Sequence, residues 1–151
     1  MIFTNLFKSK AKNNKPRRVL DVATMRVIVN HAIGGNTAPN YRSIWTKQKA
    51  ACPDGKIIED ASAKSYSPWS EHVWECEDQV RSLIDSAQRV GANEGMTFAI
   101  GGLIADPPGG GSDGQRHFYV FMISDDARVS FFDATAREWT ECPQNIYFSS
   151  L

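Results

Sequence analysis

The spacing of apolar residues changes once along the chain, near Gly95. Before that point it is helical. Asp21 can cap a helix whose apolar positions Val22, Met25, Ile28, Val29 and Ile33 recur at three- and four-residue steps, with Gly34-Gly35 closing it. "NTAPN" then breaks the chain, and Tyr41, Ile44, Trp45 and Gln48 predict a short second helix over about residues 41–51. "CPDGK" reads as a turn followed by irregular chain to about residue 70. From about Trp74 to Val90, Val80, Leu83, Ile84 and Ala87 make one face of an amphipathic helix that "GANEG" ends.

After Gly95 the segments become rich in aromatic and branched residues. "MTFAIGGLIA" (96–105), "HFYVFMI" (117–123) and "RVSFFD" (128–133) predict strands. "SDDA" is a tight-turn composition, so the second and third strands should form an antiparallel hairpin in which position 117 pairs roughly with 134. "DPPGGGSDGQ" is a loop, and Ile146, Tyr147 and Phe148 suggest a last short strand. Helices first and strands after predict an α+β fold, with N-terminal helices packed on a small antiparallel sheet.

At 151 residues and 42% hydrophobic content the chain suits one domain. Its zero net charge conceals an asymmetry. Lys8, Lys10, Lys12, Lys15, Arg17 and Arg18 precede residue 19 and no acid does, so residues 19–151 hold 11 basic against 17 acidic residues, a formal −6. We therefore expect a basic disordered leader over residues 1–18 and a single domain over 19–151. The leader reads as solvated chain, with a contact to nucleic acid or an anionic surface through residues 8–18 as the functional alternative. "MIFTNLF" lies before the cations, the reverse of a signal peptide, and no apolar run approaches the roughly 18 residues that a membrane span needs. Three cysteines, at 52, 76 and 142 and without a CxxC pair, describe neither a disulfide framework nor a zinc site, so a reducing cytoplasm is the expected compartment. "GGGSDG" is not a phosphate loop, since no Lys-Ser/Thr follows it.

Candidate chemistry centres on Cys76, which lies where the third helix should begin. As a core residue it would be inert; in a first helical turn its thiol would feel unpaired amides and the helix dipole, which favour a thiolate. Glu77 and Asp78 oppose that charge, so a reactive Cys76 needs a nearby cation. His117, opening the second strand, can supply it, and Asp133, ending the third strand at the same end of the sheet, can orient the imidazole. Nucleophile, base and carboxylate would then follow the Cys-His-Asp logic of papain-like enzymes, with 41 and 16 residues between them. His72, four residues before Cys76, is a rival base. Trp69 and Trp74 read as core or as walls of a groove, and Cys52 and Cys142, each followed by proline, are assigned no chemistry.

The stretches Trp74-Glu75-Cys76-Glu77-Asp78-Gln79, Arg116-His117-Phe118 and Phe132-Asp133-Ala134-Thr135 resemble the compact papain-like cysteine protease domain at the C-terminus of a mushroom agglutinin (MOA) and its stand-alone relatives in phages and bacteria. The resemblance, over roughly residues 20–140, implies a papain-like fold and a cysteine hydrolase or acyltransferase acting on a peptide or protein substrate. It also implies that Glu77 and Asp78, beside the nucleophile, can bind Ca²⁺. The alternative on the same scaffold is a non-catalytic binding module, a phage accessory or host-interaction protein.

Overall fold

Asp21 begins the ordered body as expected, its carboxylate accepting a hydrogen bond from the Thr24 amide to cap the first helix. The computed structural model of the chain describes residues 16–66, 75–109 and 116–151. Its elements run β1 (Val19–Asp21), α1 (Val22–Ile33), β2 (Thr37–Ile44), β3 (Lys49–Ala51), α2 (Gly55–Ser65), α3 (Cys76–Asn93), β4 (Ile100–Asp106), β5 (His117–Ile123), β6 (Val129–Asp133), β7 (Glu138–Thr140) and β8 (Gln144–Ser150). The fold is α+β. Six strands form one sheet in the order β2-β8-β4-β5-β6-β7, and β1 pairs with β3 in a separate two-stranded ribbon.

The sheet is buried on both faces, which explains the near-continuous apolar runs of β4 and β5. Tyr119, Phe121 and Ile123 of β5 join Met25, Val29 and Ile33 of α1 in one core cluster. The alternate residues Val120 and Met122 join Ile58 and Ala61 of α2 and Val80, Leu83 and Ala87 of α3 in the other. A strand's two-residue period thus sends successive β5 side chains to opposite layers. The α3 positions 80, 83 and 87 make the stripe expected of an amphipathic helix. Gln88 ties the end of α3 to the sheet, its amide exchanging two hydrogen bonds of 2.9 Å with the Phe98 backbone. At Gly101 a Cβ would stand 2.1 Å from the Ser150 carbonyl oxygen and 2.6 Å from the Phe121 ring, so β4 lies against its neighbours at a distance only glycine allows.

Three expectations are corrected. Residues 41–51 form no helix: Thr37–Ile44 is an edge strand parallel to β8, and Lys49–Ala51 pairs with β1. Pro39 disfavours helix at Ala38, and the Tyr41 hydroxyl bonds Ser149 across the β2–β8 pair at 2.6 Å, a partner the local pattern did not reveal. The stretch taken as irregular contains α2, whose N-cap is Asp54 of the supposed turn, accepting from the Ile57 amide. The sheet is larger than expected and mixed, because β2 runs parallel to β8.

The hairpin forms as expected, with Ser124 N–H donating to the Arg128 carbonyl and Ala127 in the left-handed region at φ 61°. Its register sets Val120 opposite Phe132, so residue 119 stands beside Asp133 and His117 reaches that residue diagonally. Residues 1–15, most of the expected leader, lie outside the described residues, as do His72, Trp69, Trp74 and the glycine-rich stretch 110–115. Arg17 and Arg18, assigned to the leader, are tied to the body. Arg17 Nε donates to Glu94 Oε2 at 2.8 Å, and the Arg18 amide donates to Asp125 Oδ1 at 3.1 Å.

Candidate functional site

Cys76 is the first residue of α3, two positions later than the pattern placed the helix start. Glu75 and Asp78 build a capping box in which the Asp78 carboxylate accepts from the Glu75 amide at 3.1 Å. Glu77 pairs with Arg81 one turn on. These local reasons fix the helix start and hold Cys76 half-buried at its first turn.

His117 opens β5, with its imidazole close enough to the Cys76 thiol for each group to shift the other's protonation. On its other side, Nε2 lies 3.0 Å from Asp133 Oδ1. That carboxylate oxygen also accepts from the amides of Thr135 and Ala136, at 2.9 and 3.0 Å, in the turn between β6 and β7. Thr135 in turn donates through its hydroxyl to buried Gln79 of α3, at 2.5 Å. The three residues singled out in sequence are therefore brought together, and the β6–β7 turn is locked to the helix that carries Cys76.

Burial works against every charge here, and local partners overcome it. Burial alone would lower the His117 pKa, but hydrogen bonds and charges from Asp133 and Cys76 push it up to about 9. The Cys76 thiol is raised by burial and then brought below its ordinary value by His117 and by the backbone around Phe118 and Glu77. Asp133 is raised by burial and brought down by His117 and the two turn amides. Tyr119, whose ring meets the His117 ring edge-on at 4.7 Å, is pushed up to about 12 by burial and by the surrounding negative charge. Chemically, the arrangement favours a thiolate–imidazolium pair held by a carboxylate.

Beside this cluster the sheet end opens into a cleft of about 370 Å³, lined by Pro107, Pro108, Arg116, His117, Tyr119, Asp133, Glu138 and Thr140. Only His117 and Asp133 of this wall were picked out as site residues from the sequence. Glu138 and Thr140 belong to β7, whose three residues carry too short a pattern to register as a strand. Arg116 carried a readable signal, as a cation next to His117 at the end of a glycine-rich loop.

The residues present do not fit the calcium site that the resemblance implied. Asp78 caps the helix and Glu77 faces Arg81, so the two carboxylates do not converge. Among the described residues no three His, Cys, Asp or Glu side chains gather as a metal site. Nor, among them, is any helix long and apolar enough to cross a membrane.

No protein-family model and no curated protein matches the chain. Solved structures do match. A PSL1a–E64 complex superposes with a TM-score of 0.68 at 16% identity, covering 88% of this chain and 51% of that one. The Polyporus squamosus lectin bound to the human-type influenza-binding epitope Neu5Acα2-6Galβ1-4GlcNAc gives 0.62 at 15% identity, with 88% and 49% covered. The chain thus shares a fold with these mushroom lectin structures and spans about half their length. The expectation of a papain-like cysteine hydrolase or thiol protease of phage type is corrected here: the neighbours that share the scaffold are lectin structures, and at this identity they show the fold alone.

Proposed function

We propose that this chain is a non-catalytic binding module whose cleft takes a saccharide. The observation that carries the reading is the wall of the cleft. Its volume of about 370 Å³ lies in the small-molecule range. Arg116 offers donors, Asp133 and Glu138 acceptors, and Tyr119 and Thr140 hydroxyls, around Pro107 and Pro108. A polyhydroxylated ligand, dense in both donors and acceptors, suits such a mixed wall better than an apolar one would. The lectin neighbours support the reading, one of them in complex with a sialylated trisaccharide. In this role Cys76 and Asp133 hold the His117 ring between them, and the ring presents a fixed edge to the ligand.

Calorimetric titration tests the reading with Neu5Acα2-6Galβ1-4GlcNAc and a panel of neutral mono- and disaccharides. Saturable binding is expected at about 1 mM or tighter, a free energy of roughly −4 kcal/mol. Glu138→Ala should weaken it, and Cys76→Ser should leave it within a few-fold. A panel with no binder would overturn the saccharide assignment. Hydrolysis of a peptide pool that Cys76→Ser abolishes would overturn the non-catalytic assignment.

A further inference from the structure

Two basic side chains line the cleft, and they differ in what they already hold. The His117 ring is engaged, with Nε2 3.0 Å from Asp133 Oδ1. Arg116, exposed and placed directly before β5, is not: among the described residues its guanidinium pairs with no carboxylate. Asp106 lies across the ladder from it, since Ala105 pairs with His117, yet the bonds of that carboxylate come from Asn145 Nδ2 at 2.9 Å and the Tyr147 hydroxyl at 3.3 Å. The five N–H donors of Arg116 therefore face the cleft side of the sheet without an acceptor from the described protein.

The same guanidinium is held in place. Its Cζ stands 4.1 Å over the centre of the Tyr147 ring, a cation–π contact that fixes the group. Tyr147 belongs to β8, and its hydroxyl is anchored on Asp106, which is only 6% exposed. A ring face offers no lone pair, so the contact leaves the planar N–H fork of the arginine free to grip two oxygens of a carboxylate. The acids of the wall do not take that role. Asp133 Oδ1 accepts from the His117 ring and two turn amides, and Glu138, its ladder partner on β7, forms no ion pair among the described residues.

We propose that the cleft selects acidic saccharides, with Arg116 as the specificity-determining residue that receives the carboxylate of the ligand and Tyr147 as the positioning residue beneath it. The proposal rests on the saccharide reading of the cleft and narrows it to one ligand class. A carboxylate presents two charged acceptors in one plane, and a neutral hydroxyl does not, so discrimination falls on the charge-assisted pair.

Arg116→Gln tests this with little disturbance of the fold, because the side chain is exposed and makes no ion pair among the described residues. The measurement is calorimetric titration of the wild-type chain and of R116Q with two acids, Neu5Acα2-6Galβ1-4GlcNAc and methyl β-glucuronide, each against its own methyl ester, and with acetate. In the wild type at least one acid should bind about 10-fold or more tighter than its ester, and in R116Q that preference should vanish while the ester stays within about 3-fold and Tm within about 3 °C. Tyr147→Phe, which keeps the ring under the guanidinium, should retain the preference, and Tyr147→Leu, which removes the ring, should reduce it. Raising the salt concentration should weaken the acids and leave the esters unchanged. Equal binding of acid and ester, or a preference that survives in R116Q, overturns the proposal and leaves the saccharide reading standing, as does acetate that binds as tightly as the acids. Should R116Q fail to fold, the wild-type acid and ester pairs decide. No binding of any saccharide by the wild type overturns both readings.

Discussion

Replacing Asp133 by Asn isolates the charge that organises the cluster. Oδ1 of Asp133 is shared by the His117 ring and the amides of Thr135 and Ala136. An asparagine oxygen can keep the two turn amides, so the β6–β7 turn should survive, while the imidazolium loses its counter-charge. In the native protein His117 is pushed from 6.5 up to about 9, against its own burial. That rise corresponds to roughly 3 kcal/mol of preference for the imidazolium, at about 1.4 kcal/mol per tenfold change in the protonation equilibrium. Because the folded pKa is the higher one, this stabilisation is fully present below about pH 6.5 and is lost as pH rises toward 9. Removing the adjacent carboxylate charge should bring the His117 pKa down by about 1–3 units, and the native stability loss between pH 6.5 and 9 should shrink correspondingly. The assay is an NMR titration of the His117 ring proton in both proteins, paired with urea unfolding from pH 5 to 10. A native pKa near 6.5, or one that the D133N substitution leaves in place, would refute the electrostatic account of this site.

Other outcomes follow from neighbouring features. Cys76, brought below its ordinary thiol pKa by His117, should be alkylated by iodoacetamide at pH 7 faster than Cys142, whose thiol burial pushes up, and His117→Ala should abolish the difference, as peptide mapping after timed quenching would report. Gly101→Ala, which drives a Cβ into the Ser150 carbonyl and the Phe121 ring, should destabilise by about 3 kcal/mol or more in urea unfolding; a cost below about 1 kcal/mol would contradict the packing of β4. Asp54→Ala removes the cap of α2 and should cost about 1 kcal/mol, whereas an unchanged stability would mean that Asp54 is an ordinary turn residue after all.

The local pattern of this chain determined those elements whose stability is mostly their own. Helix α1 carries its cap at Asp21 and its apolar stripe within one segment, and α3 carries a capping box and an unbroken stripe, so both were legible. Strands β5 and β6 were legible for the same reason, being adjacent, apolar and joined by a five-residue turn. From that order alone, the helix start at Cys76 and the strand ends at His117 and Asp133 could be set at one end of a sheet. Helix α2 was legible too, through Asp54 and the spacing of Ile57, Ile58 and Ala61, but a strong turn composition masked it. Tertiary structure alone decided the rest. Strand β2 exists because β8, about a hundred residues later, offers it a parallel partner, and no local spacing encodes a partner at that distance. Strand β7 is three residues long and is defined by pairing with β6. The cleft draws its wall from β5, β6 and β7 and from the turn after β4, so no contiguous motif could announce it. The bonds that Asn145 and Tyr147 give to Asp106 likewise appear only when β8 folds back beside β4, because burial and hydrogen-bond partnership are properties of the assembled layers and not of any segment.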